Sequence, residues 1–534
     1  MYRKYLGSLL LILAVFILHA CGGGGGGGGA TATGVATVSL TDAPGDYEHA
    51  YITVQNIWFH TSDTAGPDDS GWQRYPLFTP VTVDLIALSN GAISSPVWDN
   101  IVLAVGNYQQ IRLLLTGTED ALTASASGAG LKYNNEVRIA GDPTHYPLRI
   151  PDAHHGIRLA GTFQITNGGM LRLAIDFDAG HDVVDIQRNN ASEYILKPRL
   201  AYCDLDNAGA IVGSIDPVSA ATTTTSSHFV IKAEQVNDPS NPQYHVIKRW
   251  TSVNPVNGKF VLYPLKPGTY DIILRGLGYQ TVIAKGVPVT SGTTPITATL
   301  ISMITMTTAS APDYTVGASI TSPTGAWVNF YQTLPGTGEL PYEIRFRHFN
   351  PITGQFTGFK LSADPIWVGT YSGGAISGLT TTTPQEGPGG FSAVADAILY
   401  DRMAASQFVS SGTTTVSFPT PLTPTAPAVS RSISGTIRVP SMNMGMMTNG
   451  ILFAVHDGMI VNTMSVSGQM SSGGSYIMDN VPGGSTTIPL PGAFYGVETL
   501  GWSPTALGIG IPRTADLRTG DDISVDMLMM MLQP

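Results

Sequence analysis

Charge is scarce in this chain. Only 12% of its 534 residues are Asp, Glu, Lys or Arg, and Gly, Thr and Ser are abundant. That balance suits exported β-domains with many turns better than helical cytoplasmic enzymes. Basic residues are the rarer sign: the formal net charge is −11, so no overall basic surface exists to attract phosphate backbones or anionic lipid heads, and nucleic acid is excluded as a partner. Cysteine is nearly absent, with Cys21 and Cys203 alone. There is no Cys-x-x-Cys-His, which excludes covalent c-type haem. A Gly-x-Ser-x-Gly elbow, His-Glu-x-x-His, a phosphate-binding Walker loop and a dinucleotide fingerprint are all missing. In residues 34–206 no segment sustains a 3.6-residue apolar period, which argues against a helical bundle there. No cofactor is implied, and the expected protein is not an enzyme. Carboxylate pairs such as Glu339 with Glu343 or Asp176 with Asp178 are available for glycoside chemistry, but without a cleft there is no reason to choose them.

What is present begins at the N-terminus. Arg3 and Lys4 precede an apolar run from Leu9 to Leu18, which leads into Leu18-His19-Ala20-Cys21. A short apolar segment with a small residue before the cut fits an export signal rather than a spanning helix. Leu18, Ala20 and Cys21 match the lipobox of bacterial lipoproteins, with His19 an unusual occupant. The resemblance implies signal peptide 1–20, a diacylglyceryl thioether on Cys21 and attachment to the membrane through that lipid. Eight glycines, Gly22 to Gly29, follow. Residues 21–33 are expected to form a flexible tether, the glycine run having a root-mean-square reach of about 15 to 20 Å. Gly22 is not the aspartate that retains lipoproteins in the inner membrane, so the outer membrane is expected, with the protein facing the periplasm or the cell surface. With Cys21 acylated, Cys203 has no intramolecular partner and is read as a small buried apolar residue.

Residues 34–206 alternate with period two. Val35 to Leu40 enters the turn-rich Thr41 to Asp46, Tyr51 to His60 is a second strand, and Leu171 to Phe177 alternates cleanly. The expected fold is a β-sandwich. Val38-Ser39-Leu40-Thr41-Asp42-Ala43-Pro44, Val83-Asp84-Leu85, Gly106-Asn107-Tyr108, His155-Gly156-Ile157-Arg158-Leu159, Ile175-Asp176-Phe177-Asp178-Ala179 and Leu196-Lys197-Pro198 fall in the order seen in the DUF4382 domain of bacterial lipoproteins. The resemblance implies architecture and location and transfers no activity. Asp176 and Asp178 share one face of a strand, with His181, Asp182 and Asp185 just beyond. Together with Asp42 and Asp46 they could hold Ca²⁺ through oxygen ligands. The alternative is that they cap turns and accept backbone N–H bonds. His145, His154, His155 and His181 match no standard transition-metal spacing.

The remainder repeats. Ile211-Val212-Gly213-Ser214-Ile215 is answered by Val316-Gly317-Ala318-Ser319-Ile320 and by Ile433-Ser434-Gly435-Thr436-Ile437. Gly258-Lys259-Phe260-Val261-Leu262-Tyr263-Pro264-Leu265-Lys266-Pro267-Gly268 is answered by Gly474-Ser475-Tyr476-Ile477-Met478-Asp479-Asn480-Val481-Pro482-Gly483-Gly484, a strand with an inward aromatic followed by a tight turn. With Thr269-Tyr270 and Gly278-Tyr279, the first copy resembles the carboxypeptidase regulatory-like domain, a transthyretin-like β-sandwich. The division expected is 207–306 for that module, 307–418 for a divergent sandwich, 419–430 for a proline-rich, semi-rigid spacer, and 431–534 for a methionine-rich copy. This last stretch holds 12 of the 17 methionines. Met442, Met444, Met446 and Met447 could bind Cu(I) through soft thioethers, or the methionines could fill a sandwich core or a pairing surface, as Met527, Met529 and Met531 do by alternation. The whole is expected to be an all-β chain of sandwich domains in tandem, adhesive, scaffolding or ligand-binding, with other envelope proteins or surface glycans as partners. The competing class is a carbohydrate-binding or carbohydrate-processing accessory, in which Trp58, Trp72, Trp327, Trp367 or Trp502 would stack on sugars, and a metal-binding surface protein is the second alternative.

Overall fold

A computed structural model of the chain describes residues 32–186, 193–216, 229–292, 298–309, 313–362, 364–387, 390–406, 408–409, 412–440, 446–503, 506–520 and 522–532. The signal segment, Cys21, the glycine run, Met442 and Met444 lie outside the described residues. Among the described residues the fold is all-β, with helices of at most six residues, such as Ala179–Asp182 and Ser467–Ser472. No helix there is long and apolar enough to cross a membrane.

The first unit is two packed sheets. One has four strands in the order Ala201–Asp204, Met170–Asp178, Thr33–Ala43, Trp98–Ala104; the other has eight and is built around His49–His60 and Gly106–Leu115. Period-two alternation decides which side chains meet between them. In Met170–Asp178 the buried Leu171, Leu173, Ile175 and Phe177 enter the core, whereas Arg172, Asp176 and Asp178 take the opposite face. Val38, Leu40, Ile52, Val54 and Phe59 complete that core, each fully buried and each stabilising by about 1.5–3 kcal/mol relative to exposure.

The three repeats share one sheet plan. Gly209–Ile215 and Tyr314–Ile320 each sit at the centre of a three-stranded sheet and Val429–Arg438 lies within a nine-stranded one, and each is antiparallel to a strand on one side and parallel to the closing strands of its own copy on the other. The glycine in the opening motif has a packing reason. A Cβ on Gly213 would lie 2.4 Å from the Phe260 ring, and one on Gly435 would lie 2.0 Å from the Val525 carbonyl and 3.2 Å from the Tyr476 ring. The inward aromatic of the neighbouring strand therefore needs the glycine beneath it.

The units are not separate beads. The hairpin Ile366–Ser372 with Ala375–Thr382, from the third stretch of sequence, joins the edge of the second unit's sheet, pairing in parallel with Val282–Val289. Trp367 thereby packs against the second core. The proline-rich segment 419–430, expected to span between modules, is instead tied to the third unit: Leu422 is buried and donates its N–H to Ser322, and Asp401 N–H donates to Thr423. In the last unit Met527 and Met529 are fully buried while Leu528 and Met530 face outward, as the alternation requires.

Candidate functional site

The acidic positions read from the sequence converge where the first unit meets the second and third. Asp176 and Asp178 leave the core face of their strand and meet His245–Ser252 of the second unit. Arg249 is only 3% exposed; it ion-pairs with Asp176 and donates to Thr41 Oγ1 and to the Asp42 carbonyl, both at 2.9 Å. Trp250 Nε1 donates to Asp178 Oδ2 at 2.8 Å. Asp178 also caps the short helix, accepting from His181 N–H at 3.2 Å, and its carboxylate lies 2.9 Å from His181 Nδ1. Asp42 accepts from Ala179 N–H at 2.9 Å, and its Oδ2 has no partner. Burial, reinforced by the charges of Asp178 and Asp176, holds the Asp42 carboxyl well above the usual carboxylate range. Asp182, 1% exposed, accepts from Arg199 N–H at 2.8 Å, and burial with the Asp178 charge raises it to about 8.

Each acid thus faces a different partner. Asp42, Asp178 and Asp182 accept backbone N–H bonds at strand ends and turns, and Asp176 holds an arginine. Among the described residues no group of three or more His, Cys, Asp or Glu is placed to hold a metal ion. Asp46 lines a neighbouring cleft, and Asp185 lies in the strand after the short helix. The four histidines are dispersed: His145 lies beside Glu136, His155 beside Asp152 with His154 adjacent, and His181 beside Asp178. Met446 and Met447 diverge, the first exposed and the second fully buried in the fourth unit's core. Cys203 is a free, buried thiol, and burial pushes it up to about 11.

Around these acids opens a cleft of about 340 Å³ lined by all three units. Its aromatic walls are Trp250, Trp327, Tyr244, Tyr331 and Phe346. The Arg199 guanidinium lies 4.0 Å from the Phe346 ring centre and 5.3 Å from that of Trp327; Arg402 lies 3.5 Å from that of Tyr244. Glu343 and Asp396 face Asp176 and Asp178 around the cleft. Asn329 is 3% exposed: its Nδ2 donates to Asp396 Oδ2 at 3.1 Å and its Oδ1 has no partner. Below the floor, Lys232 Nζ donates to the carbonyls of Glu343 at 3.2 Å and Ile344 at 2.6 Å, and Glu234 accepts from Glu343 N–H at 3.1 Å. Burial draws Lys232 down to about 8. Chemically the cleft offers flat apolar faces with acidic and basic hydrogen-bonding groups between them, the combination that recognises polar ring-shaped ligands.

Sequence reasoning named Asp42, Asp176, Asp178, Glu343 and Trp327 and missed Arg199, Arg249, Lys232 and Tyr331. One signal was legible: Lys232 and Glu234 interrupt the apolar run Val230-Ile231-Lys232-Ala233-Glu234, and charges on the inward face of a strand demand partners. Of the tryptophans considered for sugar stacking, Trp58 and Trp502 are buried, and Trp327 lines the cleft.

Other connections reach the fourth unit. Arg112, 2% exposed, donates to Asp457 at 2.7 Å, Arg158 donates to the same carboxylate at 3.2 Å, and Glu498 accepts from Asp152 N–H at 2.8 Å. Lys197 Nζ donates to the Gly325 carbonyl at 3.0 Å, linking the first and third units.

Similar solved structures include the TIE protein of Bacillus anthracis (9% identity, 100% of this chain and 80% of that one, TM-score 0.14) and two B repeat units of the collagen binding protein of Staphylococcus aureus (8%, 94% and 99%, TM-score 0.13). A streptococcal ancillary pilin is similar at 9% identity over 60% of this chain and 99% of its own, with TM-score 0.13. At these scores the likeness carries no argument about function. No curated protein matches the chain. The first unit does match a known family: residues 33–198 fit the model described as "Domain of unknown function (DUF4382)".

Proposed function

We propose that the chain is a non-catalytic lipoprotein of the bacterial outer membrane, moored through Cys21, whose joined β units form an adhesive or scaffolding surface for other envelope proteins or glycans. The observation that carries this reading is the way the units are fastened. Arg249, Lys197, Lys232 and Arg112 are each nine-tenths buried or more and bridge one unit to another. Charges buried with fixed partners define one relative placement and penalise any other. Such a body suits a static binding surface better than an enzyme that must open and close. The common strand plan supports treating the later units as carboxypeptidase regulatory-like repeats, modules that serve as spacers or accessories.

The test is fractionation with surface proteolysis. The wild-type protein should sediment with the outer membrane, and Cys21→Ala should move it to the soluble fraction. Protease added to intact cells should cleave it if it faces outward and spare it if it faces the periplasm. Finding the native protein soluble and unacylated overturns the anchor. A second reading, a carbohydrate-binding accessory, is favoured by the aromatic cleft with its unpartnered Asn329 Oδ1. A glycan array decides it: selective signals lost in Trp327→Ala support it, and silence across the array removes it.

A further inference from the structure

Behind Trp250 and Phe346 lies a second cleft, of about 370 Å³, which both residues also line. Its character is opposite. Arg275 from the second unit and Arg345 and Arg347 from the third line it, with Asp46 from the first unit the acid on its wall. Arg275 ends the strand Gly268–Arg275 and is 7% exposed. Its Nε has no hydrogen-bond partner, and the charges of Asp313 and Asp46 offset its burial only in part. Arg345 and Arg347, two apart on one strand, take the same face beside it, Arg345 donating to the Lys360 carbonyl at 2.8 Å and Arg347 exposed. Lys232 and His181 stand behind them, already held by the Glu343 and Ile344 carbonyls and by Asp178.

Three guanidinium groups held together in a chain of net charge −11 repel one another, and a buried unpaired one carries the full cost of leaving water. The repulsion is visible in the protonation of Arg345, drawn well down by burial and then by Arg275 and Arg347, with Asp46 and Asp313 compensating only in part. Burial lowers Arg275 to about 10. The groups on the page that would relieve both costs are the oxygens of an anion, which the planar arginine fork grips with two hydrogen bonds. Trp250 adds an aromatic wall, and Ser252 and Asn254 add short polar side chains, beside the arginines. We propose that this cleft is a binding site for an anionic sugar, gripping its carboxylate or phosphate with Arg275, Arg345 and Arg347 and packing the ring against Trp250. The site is independent of the lipid anchor and of the adhesive reading.

The test is calorimetric titration and thermal melting of the full-length protein in detergent, with glucuronate, glucose 6-phosphate, inorganic phosphate and glucose as probes. Glucuronate and glucose 6-phosphate should bind saturably, raise the melting temperature and weaken several-fold as salt is raised, and glucose should do none of these. Arg347→Ala, at an exposed position, should weaken both anionic sugars about tenfold. Arg275→Met should abolish the anion-induced rise and melt higher than wild type without anion, because it removes an unpartnered buried charge. No saturable binding by either anionic sugar, or unchanged binding in Arg347→Ala, overturns the proposal, and inorganic phosphate binding as tightly as the sugars overturns its sugar part.

Discussion

The interior of the fourth unit and the junction of the first three solve the same problem of burial with opposite chemistry. The fourth unit fills space with thioethers: Met447, Met470, Met527 and Met529 are fully buried, and Sδ or methyl atoms of Met447, Met470 and Met529 lie within about van der Waals reach of where a Cβ on Gly501 would sit. The junction buries Asp42, Asp182, Lys197, Lys232, Glu234 and Glu343 instead. An apolar core gains from every atom it hides, whereas a charged one breaks even only when every group is matched. The methionine-filled interior is apolar; the region with two clefts is charged, and among its unmatched atoms are Asn329 Oδ1 and Arg275 Nε, whose residues line those clefts.

The contrast predicts different responses to truncation. Arg249→Ala strands the Asp176 carboxylate and should cost about 3–5 kcal/mol by denaturant unfolding, whereas Arg249→Met with Asp176→Leu together should recover most of it. A small effect of the single variant would mean that the junction does not fasten the units. In the dry core, Met529→Ala should cost about 2–5 kcal/mol through the cavity it leaves, and Met529→Leu less than about 1.5 kcal/mol. Equal losses for the two would show that thioether chemistry, not volume, matters there.

The junction should also respond to pH. The Asp182 carboxyl is raised from 3.8 to about 8 in the folded protein, so between those values the folded state keeps a proton that the unfolded state has lost. Stability contributed by the protonated acid is complete below about 4 and is lost as pH climbs toward 8. Asp182→Asn should flatten the fall in melting temperature between pH 5 and 8, and Met529→Leu should leave its slope untouched. The smallest effect belongs to the outward methionines: Met446→Leu and Met530→Leu should change stability by less than about 0.5 kcal/mol. A larger loss at Met530 would indicate a partner seated on that face.

Much of the fold was readable because burial in a strand leaves a period of two. Val35 to Leu40 and Leu171 to Phe177 showed it and form adjacent strands; Met527, Met529 and Met531 showed it and point inward or are partly covered. The candidate site was readable at Asp42, Asp176, Asp178, Glu343 and Trp327, and not at its basic residues. Composition even pointed away from the arginine cleft, since a net charge of −11 conceals three arginines drawn from strands about seventy residues apart.

Local pattern therefore indicated the strands and the repeated glycine with its aromatic, because each depends on neighbours within a strand or on the adjoining one. Which charge meets which was decided only by the folded chain. Arg249 finds Asp176 across 73 residues and Arg112 finds Asp457 across 345, distances over which sequence carries no periodic signal and only packing brings the partners together.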